Sequence, residues 1–215
     1  MPNHVFTKLE VVGKHKDVKQ FAEKAQIKGM YDFKALYPMP KEFEGTTSPT
    51  TIVSEEAYKE LIKKSKTPEG KKSMKMGCGL GGITAKMSKE LIKKYGTDNW
   101  YDWANTNWGT KWGCYDSNEL TIVKNGDKSV ASVHYQTAWS PATAFYLHVS
   151  KQFPTLKFTH YFADEGGGFL GSETIQDGTV IGNTELEWKS EDGIRLRELL
   201  GCYCPEDEEE EEEEA

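Results

Sequence analysis

The sequence predicts an α+β fold: an antiparallel sheet with helices packed on one face, a helical insertion, and an acidic tail. Short segments that alternate apolar and polar residues read as strands. Hairpin turn pairs, Asn125-Gly126 and Asp177-Gly178, outnumber helical crossovers between strands. Amphipathic helical stretches stand between the strand-like segments in a way that gives each half of the sheet one covering helix.

Val5–Val12 alternates before Gly13 and reads as a strand. His15–Ala25 places Val18, Phe21, Ala22 and Ala25 at helical spacing, and Gly29 lies just past its end. Asp32–Tyr37 reads as a short second strand, stopped by Pro38-Met-Pro40 because neither proline can donate to a ladder. Gly45–Thr51 is a turn-rich loop, after which Ser54 takes a capping position for a helix through Lys64. Thr67–Gly82 is rich in lysine and glycine, poor in apolar residues, and reads as a mobile stretch. Thr84–Tyr95 forms another helix. Lys59–Lys64 recurs verbatim as Lys89–Lys94, but a shared helical hexapeptide does not by itself predict a repeat architecture.

A short helix carries Trp100 and Trp103 and ends near Ala104. Glu119–Val123 and Ser129–Thr137 read as strands joined around Asn125-Gly126. Ser140 and Pro141 match the N-cap and first position of a helix that runs through Lys151 to Phe153-Pro154. Leu156–Ala163 is a strand, broken by Gly166–Gly168. Phe169–Ile175 and Thr179–Trp188 form a closing hairpin, and Ile194–Leu200 a short helix.

Without the insertion this order is βαβ, then β(β)αβ, then a hairpin. Split β-α-β units of this kind build the ferredoxin-like sandwich. An open doubly wound parallel sheet is the alternative, and the hairpin turns weigh against it. The expected organisation is a single ferredoxin-like domain over 1–200, a lysine-rich helical insertion at 52–96, and a disordered acidic tail at 201–215.

Charge is unevenly spread. The formal net charge is −7, yet Glu206–Glu214 alone contributes nine acidic residues. Removing those nine from the 34 acidic residues leaves 25 against 27 lysines and arginines, a formal +2. Lys59–Lys94 holds 11 lysines against three glutamates. No apolar run approaches a membrane span, and the amino terminus lacks a basic start and an apolar stretch, so a cytoplasmic protein is expected. Cys78, Cys114, Cys202 and Cys204 show no paired CxxC spacing and read as free thiols.

Four of the six tryptophans fall between Trp100 and Trp112. Indole buries a large area while its N–H still needs a partner, so the run either closes a core or lines a groove. Trp100, Tyr101, Trp103, Trp108, Lys111, Trp112 and Tyr115, with Trp139, form the candidate partner-binding set, and the five tryptophans among them are expected to converge. Lys63, Lys64, Lys71, Lys72, Lys75, Lys93 and Lys94 form a candidate nucleic-acid set, since lysines near phosphates release counterions.

Catalytic signals are weaker. Gly77-Cys-Gly79-Leu-Gly-Gly82 matches G-x-G-x-x-G, but no buried strand precedes it, so it reads as a hinge. Cys114 beside the tryptophans is the one thiol with a suggestive setting, and nothing assigns it a base. Asp164-Glu165 before the glycines reads as turn chemistry. The five histidines show no metal-ligand spacing. No cofactor, metal or catalytic set is expected.

Met1-Pro-Asn-His-Val5, Asp32-Phe33 with Pro38-Met-Pro40, Asn99-Trp-Tyr-Asp-Trp103, Asn107-Trp-Gly-Thr-Lys-Trp112 and Thr137-Ala-Trp-Ser-Pro141 together resemble the YubB ferredoxin-like family of phages, plasmids and the bacteria that carry them. The similarity runs from Met1 to about Gly166–Gly171. The lysine-rich insertion and the glutamate tail stand outside its core pattern. The resemblance implies the ferredoxin-like fold and a mobile-element origin in a bacterial host cell, and it implies no activity. The resulting expectation is an accessory protein that binds a host protein. The alternative is a nucleic-acid or nucleotide binder using Lys59–Lys94 and the Trp-rich segment.

Overall fold

The structure, a computed structural model, describes residues 3–75 and 81–203. The Gly77–Leu80 part of the glycine motif, Cys78, Cys204 and the Glu206–Glu214 run lie outside the described residues, as does the side chain of Lys75. The chain divides into two compact units, one formed by 1–38 with 107–215 and the other by 39–106.

The first unit begins with β1 (His4–Lys14), α1 (His15–Lys24), β2 (Gln26–Ile27), β3 (Met30–Tyr31) and α2 (Phe33–Leu36). The second holds β4 (Ile52–Val53), α3 (Glu55–Ser65), α4 (Pro68–Lys75), β5 (Ile83–Thr84), α5 (Ala85–Tyr95) and most of α6 (Trp100–Asn107). The first unit resumes with β6 (Thr121–Asn125), β7 (Lys128–Ala138), α7 (Thr143–Val149), β8 (Lys157–Asp164), β9 (Leu170–Gln176), β10 (Thr179–Glu185) and α8 (Glu191–Leu200).

Six strands make one antiparallel sheet in the order β10-β9-β8-β1-β7-β6. Four successive strands of it, β8-β1-β7-β6, have the ferredoxin-like arrangement, with β1 and β7 central and α1 and α7 each linking strands that are not neighbours. The β9–β10 hairpin extends the edge beside β8. Its turn residues Asp177 and Gly178 both have positive φ, 47° and 75°, as a two-residue hairpin loop requires.

Strand alternation decides which face is buried. Val5, Leu9 and Val11 of β1 lie beside Val133 and Tyr135 of β7 and Phe158 and His160 of β8, all buried. Over them pack Val18 and Phe21 of α1 and Phe145, Tyr146 and Val149 of α7, so α1 and α7 share the predicted face. Phe33 stacks on Phe145 at 3.9 Å between ring centres. Full burial of each such side chain contributes roughly 1.5–3 kcal/mol. The hydroxyl of Tyr146 lies 3.1 Å from that of Tyr31 and 2.7 Å from that of Tyr135, all within this core. Phe6, Tyr161 and Ala163 point to the other face, where Leu196 and Leu200 of α8 and Cys202 cover them in a smaller core.

Several local expectations are corrected. Residues 33–36 are helical rather than extended, because the Asp32 side chain accepts the Lys34 N–H at 2.8 Å and caps a turn that buries Phe33 and Leu36 together. Ser140 does not cap α7, which starts at Thr143; its hydroxyl instead donates to the Gly109 carbonyl at 2.5 Å. Residues 68–75 of the lysine- and glycine-rich stretch form α4. The tryptophan helix continues to Asn107.

In the second unit Ser54 caps α3 as expected, and Thr84 caps α5 in the same way. Phe43, Ile83, Leu91, Trp103 and Ala104 supply its buried apolar residues. The β4 and β5 strands pair in parallel.

Candidate binding surface at one end of the sheet

The start of β1 and the ends of β7 and β8 meet at one end of the sheet, since His4 pairs with Ala138 and Val5 with Asp164. Trp139, just past β7, has a φ of 74°. A left-handed backbone costs a residue with a Cβ roughly 1–2 kcal/mol, so surrounding bonds must hold it. The Trp139 N–H donates to the Asn3 carbonyl at 3.0 Å, and the Thr137 hydroxyl donates to the Ser140 carbonyl at 2.8 Å. The residue whose backbone is so fixed is 49% exposed.

Tyr115 lies beside β7 through paired backbone bonds with Gln136, at 3.0 and 2.8 Å. Its hydroxyl donates to the Thr137 carbonyl at 2.9 Å and also lies 2.9 Å from His4 Nδ1. The phenol has one proton, and Thr137 takes it. His4 Nδ1 must therefore carry hydrogen and donate. Burial, and then Asp116 and Glu165, push the Tyr115 phenol up to about 12, so it remains a neutral donor.

A cleft of about 350 Å³ is lined by His4, Asp32, Lys34, Trp112, Gly113, Cys114 and Tyr115. Trp112 is 40% exposed and meets Tyr115 edge to face, with ring centres 6.3 Å apart. The Lys111 ammonium lies 4.7 Å above the Trp112 ring. Such a contact is worth about 0.5–1 kcal/mol where solvent reaches it.

The groups weighed for chemistry have structural partners. Burial pushes the Cys114 thiol up to about 12, and its sulfur donates to the Tyr31 carbonyl at 3.6 Å. A thiol so protonated is a poor nucleophile near neutral pH. Glu165 accepts the His4 N–H at 2.7 Å and Asp164 accepts the Gly168 N–H at 3.0 Å, which ties the glycine turn to the start of β1. A Cβ on Gly166 would lie 2.4 Å from the Asn3 side-chain nitrogen, so a larger residue there would displace that amide. Among the described residues no group of three or more His, Cys, Asp or Glu side chains could hold a metal ion. None of the described helices is long and apolar enough to cross a membrane.

The aromatic set is divided between the two units. Trp112, Tyr115 and Trp139 gather at the sheet end with Lys111. Trp108 is 2% exposed in the core of the same unit, beside Phe33, and its Nε1 donates to the Tyr37 carbonyl at 2.9 Å. Trp100, Tyr101 and Trp103 belong to the second unit. Trp103 is 3% exposed against Phe43, and Trp100 is half-buried with its N–H on the Thr46 hydroxyl at 3.0 Å and its ring edge on Tyr101.

Of the lysine set, Lys63 pairs with Glu60 at 2.7 Å and Lys94 with Glu42 at 2.7 Å. Bonding to Lys94 holds the Glu42 carboxyl down to about 2. Lys64, Lys71, Lys72 and Lys93 are exposed, with no ion pair among the described residues. Sequence reasoning passed over His4, Asn3 and Lys34. Only strand pairing, which sets residue 4 beside residue 138, brings His4 and Asn3 to the aromatic surface, and only the Asp32-capped turn brings Lys34 to the cleft.

Residues 120–215 match the family described as the ferredoxin-like domain in Api92-like protein. No curated protein matches the chain. Among solved structures, the chain is similar to the crystal structure of a protein api92 from Yersinia pseudotuberculosis, at 9% identity and a TM-score of 0.44, over 86% of this chain and 98% of that one.

Proposed function

We propose that this protein is an accessory protein of a phage or plasmid that works by binding a host protein, with the sheet-end surface of His4, Lys111, Trp112, Tyr115 and Trp139 as its contact. The observation that carries this reading is Trp139, an exposed indole held in a left-handed backbone by the Asn3 carbonyl. Pre-fixed tryptophans are favoured anchors, because they bury much area at little cost in side-chain freedom. The cleft beside it bears a second exposed indole and a cation, while its thiol is held protonated. We assign the chain to the cytoplasm of a bacterial host, and read 1–200 as one domain into which 52–96 is inserted.

The test is affinity capture from a nuclease-treated bacterial lysate, comparing wild type with Trp112→Ala/Trp139→Gly. A protein retained by wild type, lost in this variant and recovered in Trp108→Phe supports the reading. Identical captured sets for wild type and the sheet-end variant refute it.

A further inference from the structure

Two helices of the second unit share one hexapeptide in the same place, and the sharing extends to positions that packing does not use. A shift of thirty residues lays Glu55–Ser65 of α3 on Ala85–Tyr95 of α5, the cap Ser54 on Thr84, and Lys59–Lys64 on Lys89–Lys94. Each cap hydroxyl accepts the N–H three residues on, from Ala57 at 3.2 Å and from Met87 at 3.3 Å. Packing needs the shared Leu61 and Leu91, which are half-buried and buried. It does not need the shared lysines, which are exposed at all six positions, 59, 63, 64, 89, 93 and 94.

A merely solvated helix face intersperses both signs. Here Glu55 and Glu56 sit in the first turn of α3, where they suit the helix dipole. That leaves Glu60 and Glu90 as the acids among the lysines. Glu60 is matched by Lys63, and Lys94 is drawn to Glu42 and lies 4.7 Å over the Tyr95 ring. Lys59, Lys64, Lys89 and Lys93 have no ion pair among the described residues. Two equally capped helices thus present exposed lysines without an ion pair among the described residues, Lys59 and Lys64 on α3 and Lys86, Lys89 and Lys93 on α5.

We infer that α3 and α5 both bind the phosphate backbone of a nucleic acid, through Lys59 and Lys64 on one helix and Lys89 and Lys93 on the other. Lysine is a compact, strongly hydrated point charge, suited to phosphates and indifferent to base sequence. This surface is independent of the sheet-end aromatics.

The experiment is anisotropy of labelled DNA duplex, single-stranded DNA and RNA duplex with the full chain, at salt from about 50 to about 200 mM. The variants are Lys59→Ala/Lys64→Ala, Lys89→Ala/Lys93→Ala and their combination. Each lost phosphate contact should lower the salt slope by about 1, so each pair should lower it by about 2 and the four together by about 4. Over that salt range each pair then accounts for roughly tenfold of the affinity lost. The matching Lys→Arg variants should keep the slope, with helix content checked by circular dichroism. Absence of binding by the full chain at the lowest salt would overturn the assignment. An effect confined to one helix would overturn the role shared by the two helices while leaving a nucleic-acid site. Binding that survives all four substitutions but is lost in Trp112→Ala would move the site to the sheet end.

Discussion

Tyr146→Phe tests whether the buried hydroxyls of the sheet core act as a chain. In the wild type the Tyr146 oxygen lies 3.1 Å from Tyr31 and 2.7 Å from Tyr135, and burial raises all three phenols well above the ordinary tyrosine value. They are therefore neutral at any pH at which the protein would be assayed. Removing the central hydroxyl deletes two bonds, each worth about 1 kcal/mol net, and leaves Tyr31 without the partner it has in the core. An orphaned buried hydroxyl costs a further 1–3 kcal/mol or so, giving about 3–5 kcal/mol in total. Tyr31→Phe removes an end of the chain instead. Tyr146 stays bonded to Tyr135, and the expected cost is about 0.5–1.5 kcal/mol. The double variant, with both groups gone, should be more stable than Tyr146→Phe alone. Urea unfolding at neutral pH, with midpoints compared at constant m-value, measures all three. A Tyr146→Phe cost no larger than that of Tyr31→Phe would refute the chain of dependence.

Trp103→Ala should destabilise by roughly 3–5 kcal/mol, because that ring is 3% exposed, whereas Trp112→Ala should shift the thermal midpoint little. Trp139→Gly should leave stability unchanged or raise it by up to about 1 kcal/mol, since glycine adopts its positive φ without strain. Cys114 should resist iodoacetamide at about pH 8 until denaturant is added, as mass spectrometry of the native and unfolded chain would show. Burial pushes His160 below its ordinary 6.5, against the pull of Glu173 3.0 Å away. As pH falls through 6.5 the unfolded chain takes up a proton that the folded chain does not, so this residue weakens the fold progressively below that value. His160→Gln should therefore flatten the fall in melting temperature between about pH 7 and about pH 5, and an unchanged profile would count against the burial.

The sheet was legible where turn chemistry and alternation coincide. Asp177-Gly178 and Asn125-Gly126 mark their hairpins, and the β1 pattern alone says which face is buried. Segments whose conformation depends on a side chain's partner were not. Asp32–Tyr37 has strand-like composition, yet one carboxylate accepting the Lys34 N–H turns it into helix. Ser140 has the residue types of a cap, yet its hydroxyl is used by Gly109, which is distant in sequence. The tryptophan run was legible as a concentration of rings, and the exposed pair, Trp112 and Trp139, was among those singled out. Which rings are buried was not legible, because the chain passes between two units near Asn107 and shares the run between them. The hexapeptide copy was visible too, but its meaning rests on the matching caps and helix lengths.

The place of β1 has a consequence for biosynthesis. Its partners lie far downstream, with Lys14 opposite Lys128 and Val12 opposite Lys157. A nascent chain leaving the ribosome therefore exposes the apolar face of its first strand until more than a hundred further residues have followed. Loop closure of that length is slow, and an unpaired apolar strand is prone to aggregate while it waits. The contiguous unit over 39–106 emerges complete within that interval and can compact first. Stalling translation once 39–106 has left the ribosome but 128–138 has not should then yield a protease-resistant 39–106 fragment beside a sensitive amino-terminal strand, whereas release of the whole chain should protect both.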